Sequence, residues 1–435
     1  MGPWVRKHST KDYYDMASVL RDYPDVHVTI NLTAVLMRQL EKYYLEPMGD
    51  SDDQGAPLID TANSAVNEAA FLAKYRGRTD PWIDLLLDDT PDPLGEKGPK
   101  PTDAQIELFY NAPWSCLSTS DQIMYFFPQY KALRDRAPSS YGYEDLLLLK
   151  VLFELSWFDP DFLNGPVKMP DGETVDLSDV VSKDAAGRFS LKGPPTEDLA
   201  NRLVAENYKI MKNIIPIHKE IRYDPDTRKG QVEISTTPFY HPILPLIWST
   251  DQAKICQPND TLPEPAYSYK EDTNAQVAKA VKYYKDLFGV APKGMWPGEG
   301  SVAESVVSAF TSNGLLWVAT DQDVLKNSIE STGGTAGSCY QCYPYRADDD
   351  GSGKPLGIVF RDTGISNKIG FTFQGLWGQV AAGEFMKDIG SMAPPFGGSD
   401  RLVTVILDGE NAWESYVKEH DGKGFFAALY KSLQD

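Results

Sequence analysis

Leu315-Leu-Trp-Val-Ala-Thr-Asp321 sets the reading of the fold. A short apolar and β-branched run that closes on a polar residue and leads into a loop or helix suits a strand covered on both faces, as in a parallel sheet. The same pattern recurs at Val26-His-Val-Thr-Ile-Asn-Leu32, Gln231-Val-Glu-Ile-Ser-Thr236, Gly357-Ile-Val-Phe-Arg-Asp362 and Leu402-Val-Thr-Val-Ile-Leu-Asp408, with a shorter version at Lys293-Gly-Met-Trp296. Helical spacing lies between and around these runs, at Thr10–Tyr23, Ala34–Tyr44, Asn274–Phe288, Ser301–Ser312 and Gly424–Leu433. Strands alternating with helices predict a parallel α/β architecture, open sheet or barrel.

Two stretches break the alternation. Residues 50–140 hold helical pieces and a Pro-, Asp- and Gly-rich loop at Asp88–Thr102. Residues 141–208 hold an apolar helix around Leu146–Trp157 and a second helix at Thr196–Met211. Together, about 50–210 reads as a largely helical insertion between the first and second strands, placed over the mouth of the sheet.

Composition narrows the function classes. The formal net charge is −20, from 42 Lys and Arg against 62 Asp and Glu. A surface this acidic repels nucleic-acid phosphates and anionic membranes, while a neutral polymer feels neither attraction nor repulsion. Apolar stretches such as Asp145–Phe158 are short and interrupted by charge, so no membrane span is expected. The opening residues contain no apolar core of a signal peptide, and a cytoplasmic location is expected. Cys339-Tyr-Gln-Cys342 has CxxC spacing, but no second pair or neighbouring histidines complete a zinc site, so two reduced thiols are expected. Cys116 and Cys256 stand alone, and His8, His27, His218, His241 and His420 are scattered, so no metal or cofactor is expected. The 9 Trp and 23 Tyr serve equally as core rings and as flat surfaces for sugar faces.

In a parallel barrel, reactive groups gather where strands end. That rule gathers Asn31, Glu233, Glu299, Asp321, Asp362 and Asp408 at one rim. Glu299 sits in Gly294-Met-Trp-Pro-Gly-Glu-Gly-Ser-Val302, where glycines on both sides permit a sharp turn, and a helix is expected to begin just after it. The positive end of that helix would favour a carboxylate. Asp408 ends the most hydrophobic run and opens Asp408-Gly-Glu-Asn-Ala-Trp-Glu414; delivering so many polar groups from a buried strand is costly unless they meet a ligand. Alternation puts Gln231, Glu233 and Ser235 on one side of their strand, inward in a barrel. His241 either braces its Pro-rich loop or contacts substrate. Asp321 suits a turn cap better than a ligand contact, and Arg361 with Asp362 suits a mutual ion pair. Two carboxylates from separate strand ends are the minimum set for glycoside hydrolysis, and a retaining enzyme holds them about 5–5.5 Å apart.

Gly230-Gln-Val-Glu-Ile, Met295-Trp-Pro-Gly-Glu-Gly and Leu407-Asp-Gly-Glu-Asn-Ala-Trp also match signature regions of a known family. With Pro3-Trp-Val-Arg-Lys-His-Ser-Thr-Lys-Asp-Tyr-Tyr-Asp-Met16 and Phe360-Arg-Asp-Thr-Gly-Ile-Ser-Asn-Lys-Ile-Gly370, the chain resembles glycoside hydrolase family 57, in the branch of amylopullulanases and α-amylases. The resemblance implies an incomplete (β/α)7 barrel spanning residues 1–435 and a retaining mechanism on α-1,4- or α-1,6-linked glucans. It places the nucleophile on Glu299, the acid/base on Asp408, and substrate contacts on Glu233, Trp296 and Trp413. The family's His-Gln-Pro region and its C-terminal helical domain have no counterpart here, so the chain reads as truncated at both sides. A metal-dependent polysaccharide deacetylase and a non-catalytic glucan-binding protein are the competing readings.

Overall fold

A computed structural model of the chain describes residues 2–337, 339–342, 345–347, 355–392, 401–410 and 413–435. Five of the expected runs form strands: β1 (Val28–Asn31), β2 (Val232–Ser235), β3 (Gly294–Met295), β4 (Trp317–Asp321) and, after a short β5 (Tyr345–Ala347), β6 (Leu356–Arg361). β1 pairs with β2 in parallel, from Val28 opposite Val232 to Asn31 opposite Ser235. A parallel bridge from Thr236 to Met295 carries the order on to β3. β3, β4 and β6 then lie side by side, all parallel. β1, β2, β3, β4 and β6 thus follow one another in chain order, with β5 on the outer flank of β6. The chain has an α/β fold.

The sixth run departs from expectation. Leu402–Asp408 is not a buried strand; it touches the sheet through a single parallel bridge, Arg361 to Thr404, and Leu402 is 45% exposed. The cause is β5, which pairs antiparallel with β6 along Leu356–Ile358 and takes that flank, leaving only the C-terminal end of β6 for Thr404. The helix expected at Ser301–Ser312 is also shorter: a single 3-10 turn, Glu304–Val306, leads into an α-helix over Val307–Thr311.

The insertion is more than a cover. Its helices α1 (Tyr143–Leu155) and α2 (Glu197–Met211) bury Leu146, Leu149, Leu203, Val204 and Ile210 in one cluster with Tyr13, Ile30 and Val232. Short hairpins (Ile59–Asp60 with Ala65–Val66, Val167–Lys168 with Thr174–Val175, Val181–Lys183 with Phe189–Leu191) interrupt its helical character. A second cluster, including Phe239, Val277, Met295, Phe310, Val318 and Leu356, fills the space behind β3, β4 and β6. A third joins Ile365, Phe385, Trp413, Tyr416 and Phe425 beneath the last segment.

The first helical turn anchors to the insertion through charge. Arg6 reaches Asp80 at 2.8 Å and also Glu154, while Lys7 reaches Glu154 at 2.7 Å; all four side chains are fully buried. Such a network is retained only if every charge has a partner. Burial still pushes Lys7 down to about 8, although Glu154 opposes it.

Cys339 and Cys342 form a disulfide, against the expectation of free thiols. The 3-10 turn Tyr340–Cys342 brings their Cα atoms to 5.4 Å, within bridging range. Cys116 is buried and Cys256 exposed, both reduced. No helix among the described residues is long and apolar enough to cross a membrane.

Candidate active site

Glu299 lies in the 3-10 turn Gly298–Gly300, immediately past β3. Its backbone is left-handed, φ 53° and ψ 26°, a conformation that glutamate rarely adopts. The flanking glycines make it possible. A Cβ on Gly298 would lie 2.3 Å from the Pro242 carbonyl oxygen, and Gly300 itself has φ +66° with the Trp296 ring pressed against it. The elbow lifts the carboxylate into solvent, leaving its side chain 74% exposed. The anticipated helix N-terminus is absent here, because the α-helix starts only at Val307.

His241 meets this carboxylate from the loop after β2. Its Nε2 is 3.0 Å from Glu299 Oε1, and it too has a left-handed backbone, φ 56°. Two strained residues on adjacent strand ends thus hold each other. Strain of this kind persists only where surrounding structure enforces it, and it concentrates at functional sites. His241, read from sequence as a brace for its loop or a substrate contact, here touches the acidic group itself.

Glu233, half-buried on β2, accepts a hydrogen bond from Trp317 Nε1 on β4 at 2.9 Å. It therefore lies between β2 and the strand beyond β3, on the side that faces other strands. Gln231 instead spends its amide on the carbonyls of Leu20, Tyr23 and Val26. Asn31 donates to Ser235 Oγ at 3.1 Å, tying the ends of β1 and β2. Trp296 is partly buried against Gly300 and shapes the elbow.

Asp408 is exposed and has no hydrogen bond or ion pair with any described residue. What precedes it is firmly held. Arg361 Nε donates to the Ile406 carbonyl at 2.8 Å, Ile406 N donates to Ser366 Oγ at 3.1 Å, and Asp362 N donates to the Thr404 carbonyl at 2.8 Å. Behind it, Trp413 Nε1 donates to the Gly409 carbonyl at 2.9 Å. Trp413 is buried among Tyr416, Phe425 and Phe426, so it braces the loop rather than offering an open stacking face.

Asp321 is a cap, as its position suggested: it accepts from Asp323 N and binds Arg361 at 3.3 Å and Thr363 at 3.0 Å. Asp362 caps the next helix and accepts from Gln341, so the anticipated Arg361–Asp362 pair is replaced by Arg361–Asp321. Arg361 and Ser366 were missed as site residues. The readable signal was a cation closing an apolar strand, which is costly unless it has fixed partners. Among the described residues, Asp15, Asp159 and Asp161 are close enough to grip a cation, but Lys423 Nζ already sits among them at 2.5–3.0 Å.

Fold and site together define a parallel α/β protein that presents acidic groups from separate strand ends. The chain belongs to glycosyl hydrolase family 57, whose family model matches residues 1–435. No curated protein matches it significantly. Among solved structures it is similar to a 4-α-glucanotransferase from Thermococcus litoralis, at 18% identity over 52% of this chain and 28% of that one, TM-score 0.36. It is also similar to a branching enzyme from Thermococcus kodakaraensis, at 13% identity over 99% of this chain and 64% of that one, TM-score 0.47. A third is the α-amylase AmyC from Thermotoga maritima, at 11% identity over 99% of this chain and 67% of that one, TM-score 0.45. The chain spans less than two thirds of the length of the first two.

Proposed function

We propose that this chain is the catalytic module of a retaining glycoside hydrolase or transglycosidase acting on α-1,4- and α-1,6-linked glucans. The observation that carries the reading is the strained elbow at Glu299, braced by His241, in a chain of this family. Glu299 attacks the anomeric carbon while Asp408 protonates the departing glycosidic oxygen, giving a glycosyl ester on Glu299. Asp408, now a carboxylate, then takes a proton from water or from a sugar hydroxyl that attacks the same carbon and releases Glu299. Water gives hydrolysis and a sugar hydroxyl gives transfer.

This chemistry requires the sheet to curl. Three strand spacings separate β3 from the Thr404 segment, about 14 Å in a flat sheet, whereas a retaining pair stands about 5–5.5 Å apart. Rolling the strands into an incomplete (β/α)7 barrel carries the ends of β3 and of the last segment toward each other across the mouth. Glu233, turned toward β4, would then face a sugar hydroxyl, and Trp296 would line the floor beside the nucleophile.

Activity on soluble starch, maltooligosaccharides and pullulan tests the assignment. Glu299→Gln and Asp408→Asn should each lower turnover by about a thousandfold or more. Unchanged turnover in Glu299→Gln would refute it. Nothing among the described residues favours the deacetylase reading: the acidic cluster close enough to hold a cation is occupied by Lys423 and includes no histidine.

A further inference from the structure

An aromatic platform stands beside the Asp408 loop and has no part in the chemistry above. Trp4 packs edge-on against Trp114, with ring centroids 5.1 Å apart at 86°, and against Trp157 at 5.7 Å. His8 closes the group, 6.0 Å from Trp4 and 5.5 Å from Trp157. Trp157 is buried, but Trp4 is 37% exposed and Trp114 is 52% exposed. Indole is costly to leave in water, and edge-on packing sets one ring's rim against another's face, so part of each exposed ring stays open to solvent.

The position of these rings suggests their use. A Cβ on Gly409, next to Asp408, would lie 2.9 Å from Met16 Sδ, so the Asp408 loop lies on the same N-terminal helical segment that carries Trp4 and His8. Against the opposing effect of burial, Asp12, 2.5 Å from His8 Nδ1, raises His8, and burial foremost raises Tyr13, whose ring is 5.9 Å from His8; Glu410 adds a smaller field at both. The platform thus offers exposed indole surface with the imidazole of His8 at its edge. That combination fits the C–H face and equatorial hydroxyls of a hexose.

We infer that Trp4 and Trp114 form a distal subsite that stacks glucose units of the glucan chain several residues from the bond being cleaved. The inference rests on the glucan-active reading of Glu299 and Asp408 and specifies where a long substrate runs. It implies a chain-length preference: long oligosaccharides reach the platform and short ones do not.

Calorimetric titration of the whole chain carrying Glu299→Gln, with maltoheptaose and maltotriose, tests this. Trp4→Ala and Trp114→Ala, each added to that background, should weaken maltoheptaose binding about fivefold to tenfold, in line with one lost stacking contact. Maltotriose affinity should stay within about twofold. Trp377→Ala, an exposed ring outside the platform, should change neither. Trp114 lies on an exposed loop, so its variant keeps the test valid if Trp4→Ala disturbs folding; unfolding midpoints identify that case. Unchanged maltoheptaose binding in Trp114→Ala would overturn the subsite, and so would equal weakening for both sugars. If the Glu299→Gln parent binds neither sugar, the glucan-active reading falls first, a result distinct from loss of the platform alone.

Discussion

Glu299 spends stability on its position. A left-handed backbone at a residue with a side chain costs about 1 kcal/mol, and the same strain is repeated at His241. Asparagine tolerates that conformation better than glutamate. Glu299→Asn should therefore raise unfolding stability by about 0.5–1 kcal/mol while abolishing turnover, measured by urea denaturation alongside starch hydrolysis. A loss of stability in that variant would show that the turn is not strained. The pattern of glycines around Glu299 was legible from sequence, and so was the cap at Asp321. The contact with His241 was not, because it joins loops from different strands, 58 positions apart.

At the level of elements, five strand runs were readable because an apolar run closing on a polar residue leaves few alternatives. The Leu402–Asp408 run was misread for the same reason: its composition is that of a buried strand, but β5, a short segment without a strong pattern, competes for the same flank of β6. Edge competition is a tertiary outcome that periodicity does not record. The helix that follows the insertion, α3 (Ile214–Ile221), supplies a pH prediction. His218 on α3 is fully buried with its Nδ1 donating to the Ile214 carbonyl at 2.7 Å and its Nε2 unpartnered, and burial lowers it to about 4. Burial lowers His420, stacked on Phe126, to about 4 as well. An unfolded chain protonates these rings below pH 6.5, while the folded chain resists until pH 4. Their contribution is thus complete above pH 6.5 and is lost as pH falls toward 4. His218→Gln should flatten the decline in unfolding free energy between those limits by up to about 3 kcal/mol. An identical slope in both proteins would show that His218 is not buried neutral.

Across the whole molecule, the two ends of the chain are fastened to each other and to the insertion. Lys423, on the final helix α4 (Lys423–Gln434), reaches Asp15 at 2.5 Å, Asp159 at 3.0 Å and Asp161 at 2.9 Å, and Lys11 pairs with Asp421. Burial, with the neighbouring Asp15, raises Asp159 well above the usual carboxylate range even with the ammonium present. Lys423→Met would leave three acidic groups facing one another and should cost about 3 kcal/mol at pH 7, with a smaller deficit at lower pH as they protonate. A pH-independent deficit would point to lost packing instead. This clamp was invisible to pattern reading, since each of its members looks like ordinary surface charge in sequence.

The same closure brings the Asp408 loop onto the N-terminal helical segment, and the proposed catalysis requires Glu299 to face it. Incubation with a 5-fluoro-α-glucosyl fluoride, which forms the glycosyl ester faster than it is released, followed by peptide mass spectrometry, tests that arrangement most directly. The account predicts one fluoroglucosyl unit esterified to Glu299 in the Trp296–Val302 peptide, formed in Asp408→Asn as well, because departing fluoride needs no proton from the general acid. A label on any other carboxylate would contradict it.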